Sequence, residues 1–149
     1  MLHEAGHFFA ARLLGVRVSK MTLDVTGAKM QLCGKLISYE EEFFIAAAGP
    51  FINFIFSGAL FSVWFSFAEF SLLLGILNMM PAPGFDGYRM TGSLIALFFG
   101  TRANEKAMHF LSFCAVIFLW TVAVYTLIRY NSGISLFVLS CALFTGFVF

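Results

Sequence analysis

Residues 43–68, FFIAAAGPFINFIFSGALFSVWFSFA, contain no ionisable side chain. An uncharged run of this length is long enough to cross a bilayer as a helix. Further apolar runs cover 107–128 and 134–149. Another covers 70–100, interrupted at PAPGFDG. Hydrophobic residues make up 60% of the chain, charged residues 11%, and mean hydropathy is +0.91. This much apolar surface must face lipid. The expected fold is therefore a mainly α, polytopic membrane protein, a helical transmembrane bundle with a broken helix at PAPGFDG.

One domain, 1–149, accounts for the chain. Residues 1–15 form a helix stopped by Gly15. Residues 16–39 roughly alternate polar and apolar positions, punctuated by Gly27 and Gly34, which predicts a small β-rich insertion of two or three short strands. Spans follow at 43–68, 70–100, 107–128 and 134–149. Gly49-Pro50 predicts a kink in the first of them. The opening segment is not a signal peptide, because acid and histidine stand where a basic region belongs.

Net charge is +1, so nothing points to nucleic acid. Cys33, Cys114 and Cys141 lie far apart and indicate neither a disulfide framework nor a thiolate metal site. Arg12, Arg17, Lys20, Lys29, Lys35, Arg102 and Lys106 fall on one side of the membrane and Arg129 on the other. The basic side is expected to be cytoplasmic.

The chemistry concentrates in His3-Glu4-x-x-His7. Residues four apart share a helix face, so two imidazoles can meet one metal while Glu4 lies beside them as a base. Two histidines and a glutamate among apolar residues are costly unless paired or metal-bound. Zinc held this way needs a third protein ligand and an open position for water. His109, Glu69, Glu40, Glu41, Glu42 and Asp24 are candidates near interfaces or in the strand region. Asp86 is the candidate at depth. A helix from Phe70 to Met80 climbs about 16 Å, and Arg12 back to His3 spans about 13 Å, so both sites reach similar depth. Non-helical backbone there must line protein or a wet cavity.

HEAGH, AAAGPFIN and NMMPAPGFDG occur in the order, and with the spacings, of the site-2 protease family of intramembrane zinc metalloproteases. The chain resembles the compact sporulation branch of that family, which processes a sigma-factor precursor. The resemblance covers roughly 1–100; the last two spans match only as generic helices. It implies Zn2+ as cofactor, with His3, His7 and Asp86 as ligands and Glu4 as catalytic base. Asn78 is implied to hold substrate or the developing oxyanion. Asn53, Pro81 and Gly87 are implied to bind substrate or support the site. The implied function is hydrolysis of a peptide bond in or near a transmembrane segment of a membrane-associated protein substrate. The implied setting is a multi-pass protein of a bacterial cell membrane, with regulators unspecified.

Helix 1–15 extends about 22 Å, short of a full span. Relatives carry more helix before this motif, so the chain is expected to be N-terminally truncated, with further apolar residues encoded upstream. The competing expectation is an inactive truncated relative serving as membrane scaffold or binding protein. A metal transporter is a third reading, but it gives Glu4 no role as base.

Overall fold

A computed structural model describes residues 2–24, 27–33, 37–130 and 134–148. Helix α1 (Leu2–Leu13) leads into a hairpin of β1 (Arg17–Asp24) and β2 (Gly27–Cys33). Five helices follow: α2 (Tyr39–Leu60), α3 (Phe65–Asn78), α4 (Asp86–Phe99), α5 (Thr101–Tyr130) and α6 (Ile134–Val148).

Helix α1 ends where glycine permits. Gly15 has φ +72°, and Val16 N–H donates to the Ala11 carbonyl at 2.9 Å, closing the last turn. Helix α2 starts on a capping box. Glu41 N–H donates to Ser38 Oγ at 3.1 Å, and Ser38 N–H donates to Glu41 Oε2 at 2.9 Å.

The expected β-rich insertion over 16–39 is corrected. Beyond one antiparallel pair of strands, with Arg17 opposite Cys33 and Asp24 opposite Gly27, the described chain is helical, and this isolated ribbon has no third strand among the described residues. The capping box overrides the alternation and makes Tyr39 the first residue of a helix. The expected turn at Gly34 lies outside the described residues.

The apolar runs divide differently from the spans read in the sequence. The run 43–68 is not one helix: α2 stops at Leu60, and the Val63 and Trp64 N–H groups both donate to the Leu60 carbonyl, turning the chain into α3. Phe61 and Phe65 meet edge to face across this turn, with ring centroids 5.3 Å apart. The stretch 70–100 contains the end of α3, a non-helical loop, and α4.

Helix α2 lies at the centre, against α1, α3 and α4; α5 packs on α4, and α6 on α5. Around a few larger buried side chains, such as Ile45, Met108 and Val116, much of the interior is built from small ones. Ala11, Ala46, Ala68, Ala82 and Ala123 are wholly buried, and Ser57, Ser71, Ser112 and Ser140 are nearly so. Phe44, Phe51, Ile55, Phe110, Phe118 and Trp120 face outward. Small residues let helix backbones approach in lipid, where large apolar groups gain nothing by leaving the outside. At Gly6 the approach is so close that a Cβ would sit 2.6 Å from the Ala48 carbonyl oxygen. Helices Tyr39–Leu60 and Thr101–Arg129 are each long and apolar enough to cross a membrane.

Candidate metal centre

Helix α1 presents His3 and His7 one turn apart, with their rings edge to face at 4.8 Å. Asp86, first residue of α4, places Oδ2 2.9 Å from His3 Nε2 and 3.2 Å from His7 Nε2. The two Nε2 atoms are 3.2 Å apart. His7 is 6% exposed. Among the described residues, these three form the one group of histidine, cysteine and carboxylate side chains close enough to share a metal ion.

The triangle fits zinc on its own dimensions. Bonds of about 2.0–2.1 Å at tetrahedral angles separate ligand atoms by about 3.3 Å, against the 2.9, 3.2 and 3.2 Å found here. Three atoms that are all lone-pair donors when the histidines are neutral converge on one point, as a cation requires.

Helix α2 forms the wall behind the triangle, with residues four apart along one stripe. His7 Nδ1 lies 2.7 Å from the Ile45 carbonyl oxygen, so this nitrogen carries the hydrogen and Nε2 keeps its lone pair for the metal side. Gly49 follows one turn on. A Cβ there would overlap His7 Nε2 and stand 2.7 Å from His3 Cε1. One turn further, the amide of buried Asn53 lies 3.2 Å from His3 Nδ1. Ile45 is six residues into α2, about 9 Å below the start of that helix.

The loop between α3 and α4 carries Asp86 to this wall. Met79 N–H closes α3 onto the Gly75 and Ile76 carbonyls. Pro83-Gly84 then forms a tight turn, with Gly84 at φ +94° and Phe85 N–H donating to the Ala82 carbonyl at 3.1 Å. Gly87 lies against the Met79 carbonyl so closely that no Cβ would fit, and a Cβ would stand 2.6 Å from the Met80 carbonyl oxygen. The Pro81 carbonyl accepts a hydrogen bond from Ser112 Oγ at 2.9 Å.

Glu4 follows His3 on α1 and is half-buried. Asn78 ends α3, and one of its amide hydrogens is engaged on the Leu74 carbonyl at 3.1 Å. The other ligand candidates lie elsewhere. Glu40, Glu69 and His109 are exposed, Glu41 is taken up in the cap, Asp24 ends β1, and Glu42 pairs with Arg89 at 3.3 Å. Sequence reasoning passed over the Ile45 carbonyl and Gly49. A backbone acceptor has no sequence signature. The Gly49-Pro50 pair was readable only as a kink, although its spacing from Asn53 marks one helix face.

The model of peptidase family M50 matches residues 1–69. A zinc metalloprotease of Methanocaldococcus jannaschii is 27% identical over 119 residues, which are 71% of this chain and 34% of the relative. Rip3 of Mycobacterium tuberculosis, whose name likewise describes a zinc metalloprotease, is 33% identical over 106 residues, 60% of this chain and 27% of that protein. The chain thus spans about a third or less of the length of these curated relatives. The solved structure of a site-2 protease from Methanocaldococcus jannaschii shares the fold, with TM-score 0.70 and 24% identity, over 98% of this chain and 70% of that one.

Proposed function

We propose that the chain is an intramembrane zinc metalloprotease of the site-2 protease type, on its match to peptidase family M50 over residues 1–69 and its similarity to zinc metalloproteases. The likeness to that family and two helices long and apolar enough to cross a membrane support an integral membrane protein, and the zinc assignment follows the names of its relatives. The proposed reaction is hydrolysis of a peptide bond in or near a transmembrane segment of a membrane-associated protein, in a bacterial cell membrane. The observation that carries this reading is the triangle of His3, His7 and Asp86, with edges close to those of a zinc tetrahedron.

His3, His7 and Asp86 would hold the ion, leaving a fourth position open. Zinc, when bound, supplies Lewis acidity and lowers the pKa of a coordinated water toward ~7. Glu4, beside the ligand pair, takes the proton of the attacking water and returns it to the departing amine. Asn78, through an amide N–H, donates to the oxygen of the attacked carbonyl. Asn53 braces His3. With Nε2 turned to the metal, His3 Nδ1 carries the hydrogen, and the amide accepts it through Oδ1 after a half-turn about its last bond. Ile45 does the same for His7 through its carbonyl. A helical substrate must unwind before attack, since its carbonyls are otherwise engaged along its own axis.

The test uses the purified chain in lipid vesicles, with zinc content measured alongside cleavage of a membrane-anchored peptide. Wild type should hold one zinc per chain and cleave. Glu4→Gln should keep the zinc and lose cleavage. A chain without zinc, or a Glu4→Gln variant that cleaves normally, defeats the proposal. Zinc binding without cleavage in wild type would leave a scaffold.

A further inference from the structure

We propose that Ser112, on α5, is a positioning residue for the metal site, holding the loop that delivers Asp86; the inference rests on the metalloprotease reading above. The buried stripe of α5 runs Met108, Ser112, Ala115, Val116, Leu119, Ala123. Ser112 is its one polar member and is 1% exposed. Serine and threonine hydroxyls in helices commonly fold back onto a carbonyl of the preceding turn. Ser93, Thr121, Thr126 and Ser140 do so here, donating to Arg89, Ile117, Ala123 and Phe137 at 2.7–3.0 Å. Ser112 instead reaches across to Pro81, 31 residues earlier.

Its acceptor explains the difference. Pro81 sits at the centre of a three-residue turn, in which Ala82 N–H donates to the Met80 carbonyl at 2.8 Å. The Pro81 carbonyl therefore points out of the loop backbone, in surroundings where an unpaired carbonyl is costly. Ser112 supplies the donor. One turn further along α5, Ala115 and Val116 seat the wholly buried Ala82, with Met80, Phe85 and Leu143 packed around them. The loop is thus fixed to α5 at two adjacent points, one polar and one apolar. From Ala82 a single tight turn leads to Asp86. The histidines are held separately, by α2. Loss of the Ser112 bond frees the carboxylate corner of the triangle while leaving the imidazole pair in place.

The experiment compares wild type, Ser112→Ala, Ser112→Thr and Thr121→Ala as purified full chains. Zinc affinity is read by chelator competition, and coordination by the visible spectrum of the cobalt(II)-loaded protein. Outer-shell losses of this kind cost 10–100-fold, so Ser112→Ala should weaken zinc binding by about 10-fold and shift the cobalt spectrum, with Ser112→Thr within about 2-fold of wild type. Thr121→Ala removes a hydroxyl bonded only within its own helix and should change neither reading. Should the added methyl of Ser112→Thr prevent folding, the contrast between Ser112→Ala and Thr121→Ala decides. Wild-type affinity and spectrum in Ser112→Ala, or equal losses in both alanine variants, overturn the inference and leave the metal site standing. Failure of wild type to bind zinc overturns the proposed function and the inference together.

Discussion

Replacing Gly49 with alanine separates the metal site from the fold that carries it. The added methyl would overlap His7 Nε2, and it would stand 2.5 Å from His7 Cε1 and 2.7 Å from His3 Cε1. Carbon atoms in contact settle at ~3.5–4.0 Å, so the His3 ring must retreat by about 0.8 Å and the His7 ring by more. Metal-ligand distances tolerate only about 0.2 Å. Retreat is also opposed, because Ile45 and Asn53 hold the far nitrogens of both rings. The expected result is a 10–100-fold loss of zinc affinity, about 1.4–2.8 kcal/mol. The same crowding acts without metal, where overpacking costs ~1–3 kcal/mol and is at most partly offset by the ~0.5–1 kcal/mol that alanine gains over glycine in mid-helix. Gly49→Ala should therefore unfold only slightly earlier than wild type when both are metal-free, yet release zinc to a weaker chelator. Thermal unfolding in detergent and chelator competition, run on the same preparations, test both halves. Wild-type zinc affinity in Gly49→Ala would show that the imidazoles are not wedged against α2, and the geometry argued from that contact would fall.

The remaining expectations follow from other parts of the site. Asp86→Ala removes one corner of the triangle; cleavage should disappear and zinc should be lost on dialysis against a chelator, which metal analysis reads directly. In Glu4→Gln, losing a general base should lower the cleavage rate ~10²–10⁴-fold at unchanged zinc content, measured by initial rates in vesicles. Gly87→Ala drives a methyl into the Met79 carbonyl, which is backbone and cannot swing aside; a loss of ~1–3 kcal/mol is expected for overpacking, read as a lower unfolding midpoint. Ser38→Ala removes the cap of α2 and should cost about 1 kcal/mol of stability with little change in zinc affinity.

The parts legible in the sequence were those encoded locally. His3 and His7 share a face because the helix repeat dictates it, and Asp86 stood out because a carboxylate among apolar residues needs a reason. The division of the run 43–68 left no such mark. The turn at 61–64 contains no glycine, proline or charge, and its N–H groups are satisfied by the Leu60 carbonyl. The start of α2 has a local signal, Ser38 and Glu41 at capping-box spacing, which the polar-apolar alternation before it obscures. Support from α5 was hidden for another reason. Ser112 looks like any serine in an apolar helix until the fold shows that its acceptor belongs to a distant loop.

An interior largely of alanine, glycine and serine inside a shell rich in phenylalanine inverts the usual map of mutational tolerance. Enlarging an inward position such as Ala46 or Gly6 should be ruinous, because helix axes would have to separate. Exchanging Phe51 or Phe118 for leucine should pass almost unnoticed, because lipid fills the difference. A saturation scan of this protein would find its least forgiving sites among its smallest residues.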